Sequence, residues 1–231
     1  LMLEPRRVAD CVAAMRAAVT VPVTVKTRLG VDSYDSYEFV RDFVAAVVAG
    51  GCSTFIVHAR KAWLSGLSPK QNREIPPLDY ERVHRLKRDF PSLCFVLNGG
   101  LTTVAAGAEQ LAHVDGVMVG RAAYQDSWLL ASLDARLFAA EPVAETAVLA
   151  AFIEYAAAEL ANGTPLRAMT RHLLGMRAGR AGGRQWRRRL GELAAGHAGL
   201  AELQEMVAKL GGNPPLSAAA AHEPELAYGS C

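Results

Sequence analysis

The sequence predicts an α/β fold built on a parallel sheet, and three observations lead there. Four short apolar segments, at residues 23–25, 54–57, 94–97 and 117–119, are separated by stretches of helical periodicity. They run into polar or glycine clusters: Lys26-Thr27-Arg28, His58-Ala59-Arg60, Asn98-Gly99-Gly100 and Gly120-Arg121. Helices between strands make the strands parallel, and a βα fold gathers its chemistry at their carboxyl ends. With 231 residues, 51% apolar and 21% charged, the chain has ample material for a core.

Taken in order, Leu1 to Leu3 reads as the tail of a strand or its exit loop, and Glu4-Pro5 supplies a helix start. Val8, Cys11, Val12, Met15 and Val19 recur at helical spacing, which predicts an amphipathic helix over 5–19. A loop with Asp32 and Ser33 follows, in which Asp32 and Asp35 are expected as turn and cap residues rather than catalytic acids. Asp35-Ser36-Tyr37-Glu38 resembles a capping box opening a helix that ends at Gly50-Gly51. After the strand at Thr54 comes a long polar loop, 61–77, then a helix over 80–90 and the strand at Cys94. Thr102 is the expected cap of a helix running to Leu111, before the strand at Val117. A βα barrel has about eight such units. Only about half of that repeat is visible, so an amino-terminal part of a barrel is expected to be missing.

From Glu141 the texture changes to alanine and leucine with helical periodicity, predicting helices at 143–161, 164–176, 184–195 and 199–210 with no strand between them. The expected organisation is a partial barrel over 1–140, a small helical-bundle domain over 141–210, and a disordered tail over 211–231.

Net charge is only +2, yet Arg167, Arg171, Arg177, Arg180, Arg184, Arg187, Arg188 and Arg189 fall in one stretch without an acidic residue. Guanidinium groups suit phosphate, so this clustering is either the footprint of a polyanion or a solvated arginine-rich face. Trp186 within it reads as a core anchor between helices or as a stacking face for a base. The four cysteines, Cys11, Cys52, Cys94 and Cys231, have no metal-ligand spacing, and no metal is expected. His84, His113, His172, His197 and His222 receive no role. No apolar run is long enough to cross a bilayer, and a cytoplasmic monomer is expected.

The stretch His58-Ala59-Arg60-Lys61-Ala62-Trp63-Leu64, continuing through Gly66-Leu67-Ser68-Pro69-Lys70 and Asn72-Arg73-Glu74-Ile75-Pro76-Pro77-Leu78, resembles the tRNA-dihydrouridine synthases of the A subfamily, which reduce uridines 20 and 20a of the tRNA D-loop. Val25-Lys26-Thr27-Arg28, Asn98-Gly99-Gly100, Asp115 to Arg121 and Gly182 to Arg188 are similar to that family too. The resemblance implies an FMN-binding (β/α)8 TIM barrel followed by a helical domain, with FMN and NADPH as cofactors and tRNA as partner. It implies that Lys26 contacts the flavin ring, that His58 holds FMN or the target base, and that Asn98, Gly99, Gly100, Gly120 and Arg121 hold the flavin phosphate. Lys70, Asn72 and Arg73 in the long loop, and Arg184, Arg187 and Arg188 in the helical domain, are the expected tRNA contacts. Arg28 and Arg60 face either the cofactor's surroundings or the tRNA.

The implied reaction passes electrons from NADPH through FMN to uridine C6, while an acid protonates C5. In the family that acid is a cysteine in a loop upstream of where this chain begins, and neither Cys11, Cys52 nor Cys94 sits in that motif. The chain as given is therefore expected to lack efficient synthase activity. A non-catalytic tRNA-binding remnant is the alternative, and an FMN oxidoreductase acting on a small molecule is a third reading.

Overall fold

A computed structural model describes residues 1–195 and 199–210. The tail expected over 211–231, with His222 and Cys231, lies outside the described residues, as does His197. The described chain divides between Gly120 and Arg121 into two compact units.

The first unit alternates helix and strand: α1 (Pro5–Ala18), β1 (Val25–Arg28), α2 (Tyr37–Ala49), β2 (Thr54–His58), α3 (Tyr80–Asp89), β3 (Cys94–Asn98), α4 (Val104–Gln110) and β4 (Gly116–Met118). The strands pair in chain order, all parallel. Helix starts follow the local chemistry. Pro5 sits in the first turn of α1, and the hydroxyl of Ser36 accepts from the Phe39 N–H at 3.1 Å. The Asp79 carboxylate accepts from the Arg82 N–H at 2.9 Å. Thr103, one residue later than expected, caps α4 by accepting from the Ala106 N–H at 3.1 Å.

All four strands begin or end differently from expectation, and at the first three the difference matters. Lys26, Thr27 and Arg28 do not follow β1 but form most of it, and His58 and Asn98 are the last residues of β2 and β3. Inside a strand, alternation assigns each residue a face. Thr27, Phe55, Val57, Phe95 and Leu97 turn to the buried face, where they pack with Val12, Val40, Phe43, Val44, Val47, Val83 and Leu86 from the helices. Phe55 and Phe95 stack there at 5.8 Å. The other face carries two cross-strand rows, Lys26–Ile56–Val96–Gly116 and, nearer the carboxyl ends, Arg28–His58–Asn98–Met118. The amphipathic reading of α1 holds only in part, since Val12 is buried whereas Met15 and Val19 remain exposed.

The second unit is helical: α5 (Arg121–Gln125), α6 (Trp128–Phe138), α7 (Glu145–Ala161), α8 (Leu166–Thr170) with a 3₁₀ turn at Arg171–Leu173, α9 (Gly183–Ala194) and α10 (Leu200–Ala208). The expected helix over 164–176 is thus a short α-helix and a tighter turn. This unit begins before Glu141, where the composition changes, because Trp128 of α6 belongs to the same core as Leu149, Trp186 and Leu203. The Trp128 indole N–H donates to the Met176 carbonyl at 2.8 Å, and that of Trp186 donates to Leu173 at 2.9 Å. Trp186 is therefore the core anchor of the two roles the sequence allowed.

Arg177 is buried at 7% exposure and lies 3.2 Å from the Glu145 carboxylate, close enough for charge pairing although its N–H points off the line between them. Replacing Glu145 by Ala strands that guanidinium in an apolar core. The expected outcome is a loss of about 3–5 kcal/mol in stability, read by urea unfolding followed through tryptophan fluorescence.

Candidate functional site

The site is built at the carboxyl ends of β1–β3, where alternation has put four polar side chains on one face. Lys26 reaches across β2 and donates from Nζ to Asn98 Oδ1 at 2.8 Å. Asn98 in turn donates from Nδ2 to the Met118 carbonyl of β4 at 2.8 Å. Three strands are tied by one ammonium and one amide. Partial burial, and after it the neighbouring Arg28 guanidinium, lower the Lys26 pKa below its usual value. Its hydrogen-bond acceptor is a neutral amide, so no carboxylate cancels the charge through this contact.

Beyond Asn98 the chain turns sharply, with φ of +113° at Gly99 and +70° at Gly100. A Cβ on Gly99 would come within 2.5 Å of the His58 ring, and one on Gly100 within 2.4 Å of Leu78. The Tyr80 hydroxyl fixes the turn by donating to the Gly99 carbonyl at 2.7 Å. His58 thus packs against the glycine turn. Gly120 closes the first unit with open space where a Cβ would stand, and Arg121 opens α5 in the second.

The loop over 61–77 is held in a defined shape by its own polar groups. Arg28 Nη1 donates to the carbonyls of Lys61 and Asn72, both at 2.9 Å, binding the two arms of the loop to the end of β1. The Asn72 amide clasps Trp63, accepting from its N–H at 2.8 Å and donating to its carbonyl at 2.5 Å. Asp32, at φ +50°, accepts from the Leu64 N–H at 2.9 Å, and Asp35 pairs with Lys61 Nζ at 2.6 Å. Arg60 donates to the Pro76 carbonyl. Asp32 is thus a turn residue, as expected, whereas the cap of α2 is Ser36 rather than Asp35, and both aspartates anchor the loop. Asn72 spends its amide on loop shape, while Lys70 and Arg73 are exposed. Burial lowers the Arg28 pKa, and the positive charges of Arg60 and Arg73 lower it further, so the loop's cations converge on the end of β1.

In the helical unit the arginine stretch divides. Arg177 is buried with Glu145, and Arg180 lies over the Trp128 ring at 4.9 Å. Gly183 is needed because a Cβ there would meet the Arg177 carbonyl oxygen at 2.1 Å. Arg184, Arg187 and Arg188 share an exposed face of α9, opposite Trp186, Leu190 and Leu193. Of these, Arg188 has Glu192 at 3.7 Å, an exposed and weak pairing.

The remaining polar residues lie elsewhere. Cys11 is exposed on α1. Cys52 is buried just ahead of β2, its Sγ 3.2 Å from the Thr54 carbonyl oxygen, and burial pushes its pKa up. Cys94 opens β3, at the end opposite Asn98. His84 has partners after all, its Nε2 2.9 Å from Gln110 Oε1 and its ring stacked on His113 at 4.4 Å. His172 meets the Tyr124 hydroxyl at 3.1 Å. Among the described residues no cluster of three or more His, Cys, Asp or Glu could hold a metal, and no helix is long and apolar enough to cross a membrane.

The family model for dihydrouridine synthases matches residues 1–210. The chain belongs to the dihydrouridine synthase family. A tRNA-dihydrouridine(20/20a) synthase of Vibrio vulnificus is 52% identical over 214 residues, which cover 91% of this chain and 66% of that protein. A synthase of the same name from Vibrio cholerae is 52% identical over 91% of this chain and 65% of its own length. Its namesake in Escherichia coli K12 is 54% identical over 200 residues, 84% of this chain and 57% of that protein. The chain therefore spans between 57% and 66% of the length of these curated relatives. The matched region contains both the strand-end site and the exposed arginines of α9.

The Lys61–Asp35 pair gives the loop a pH signature. The Asp35 pKa is lowered, first by its hydrogen bond from Lys61, so the pair stabilises the loop above the ordinary aspartate value and loses that contribution as the pH falls through the lowered one. Protection from hydrogen exchange over 61–77, measured relative to the intrinsic rate at each pH, is expected to fall in that acidic window. An Asp35→Asn variant is expected to exchange faster already at neutral pH and to lose the pH step.

Proposed function

We propose that this chain is the cofactor- and tRNA-handling part of an enzyme that reduces uridine to 5,6-dihydrouridine in the tRNA D-loop at positions 20 and 20a, using FMN with NADPH as electron source. In this reading the four strands are consecutive members of a (β/α)8 barrel, α1 to α4 are its outer layer, and the face carrying Lys26, His58 and Asn98 looks into it. The helical unit is the tRNA-binding domain. One observation carries the proposal: an ammonium at the carboxyl edge of the sheet, hydrogen-bonded to an amide rather than a carboxylate.

That donor set fits FMN. An ammonium beside a flavin ring favours its reduced, anionic form, and Lys26 would supply it. His58, held against the glycine turn, would border the ring or the incoming base, and the backbone N–H groups at Gly99, Gly100 and Gly120 would face the phosphate. When bound, FMN supplies the hydride for C6 of the base. The loop cations Lys70 and Arg73 would meet the RNA backbone at the mouth of the site, with Arg28 and Asn72 keeping the loop in shape. A uridine must leave its stack to react, and phosphate contacts from Arg184, Arg187 and Arg188 help offset that cost. Neither Cys11, Cys52 nor Cys94 serves as the acid for C5, since none stands at the carboxyl edge.

The test reads cofactor and RNA separately. The full chain is expected to take up FMN with the absorption of a bound flavin, and Lys26→Met to weaken uptake roughly tenfold, about 1.4 kcal/mol. Changing Arg184, Arg187 and Arg188 together to Ala is expected to leave FMN uptake unchanged and to reduce the salt dependence of tRNA binding by roughly 0.7 to 0.9 for each phosphate no longer neutralised. Failure to take up FMN, with tRNA binding intact, would favour a non-catalytic tRNA-binding role. An unchanged salt slope would remove α9 from the RNA surface.

A further inference from the structure

The Asn98 side chain occupies a position that its neighbours determine atom by atom. Lys26 Nζ can only donate, and the Met118 carbonyl can only accept. The amide lies 2.8 Å from each, so its oxygen must face Lys26 and its nitrogen must face β4. We propose that Asn98 is a positioning residue for Lys26: it sets where the ammonium stands over the sheet and keeps its charge uncancelled. The proposal rests on the reading of Lys26 as the flavin-facing cation.

The register supports this. Lys26 pairs with Ile56, which pairs with Val96, so Asn98 lies two strands across and two residues further along. Two strand spacings are about 9.6 Å, a gap that only an extended lysine and an inward-reaching amide close. Without an acceptor there, the long side chain is free to sample many rotamers. With Asn98 anchored to β4, the ammonium is drawn over β2, between the levels of Ile56 and His58. The residue type matters as much as the reach. Aspartate would accept the same hydrogen bond, but its negative charge would neutralise the ammonium and remove the preference for an anionic partner. An amide holds the lysine without discharging it. This role differs from a contact to the flavin phosphate, because the two predict opposite outcomes for affinity and potential.

The experiment compares the FMN-loaded full chain with Asn98→Ala, Asn98→Asp, Lys26→Met and the Lys26→Met/Asn98→Ala double variant, measuring FMN affinity and flavin midpoint potential. Uptake of FMN by the unaltered chain is the control: its failure rejects the flavin reading itself, not the role of Asn98. With that control satisfied, Asn98→Ala is expected to keep its FMN dissociation constant within about threefold of the Lys26→Met value and to lower the midpoint potential. Asn98→Asp is expected to lower the potential at least as far. In the Lys26→Met background, Asn98→Ala is expected to change the potential no further, the mark of a residue acting through another. An unchanged potential in Asn98→Ala overturns the proposal. So does loss of FMN or of fold from both Asn98 variants while Lys26→Met retains the cofactor, since Asn98 would then act on the cofactor or the sheet directly.

Discussion

Parallel pairing in a fixed register is the constraint from which the rest of this molecule follows. Because Lys26, Arg28, His58 and Asn98 are strand residues, the pleat leaves them no choice of face. Burial of Thr27, Val57 and Leu97 under the helices sends their polar neighbours to the opposite side. A one-residue slip of β1 would bury both cations in the apolar layer, which is why the register is strongly specified. Hydrophobic burial on one face thus positions chemistry on the other.

From that face two systems of hydrogen bonds extend. One runs inward through Lys26 and Asn98 to β4 and fixes a cation. The other runs outward from Arg28 to both arms of the loop and fixes a surface. Each arginine or lysine in these systems meets neutral carbonyls or an amide at least as often as a carboxylate, so positive charge accumulates at the carboxyl edge. The helical unit follows a different rule. There Arg177 and Arg180 are spent on Glu145 and on the Trp128 ring, and the outer face of α9 presents its arginines to solvent.

The alternation of strands and helices was legible in the sequence because the apolar runs are short and bounded by Gly, Pro and polar clusters. The site was legible as a set of strand ends but not as a geometry. Reading Lys26-Thr27-Arg28 as a polar cluster beyond the end of the strand hid the alternation that separates Thr27 from its neighbours. The pairing of Lys26 with Asn98 joins residues 72 positions apart, and no local pattern records it. The arginine cluster illustrates the same limit. Spacing alone could not say that Arg177 turns inward, because that depends on Glu145 arriving from α7. The glycines of the Gly99-Gly100 turn were recognisable, whereas their close approach to His58 and Leu78 belongs to tertiary packing.

The most direct test of the flavin site is the reactivity of Lys26 toward an amine-acylating reagent, followed by peptide mass spectrometry with and without FMN. The account predicts that FMN protects Lys26 while leaving the modification of Lys70, on the exposed loop, unchanged. Equal labelling of Lys26 in the presence and absence of bound FMN would contradict it.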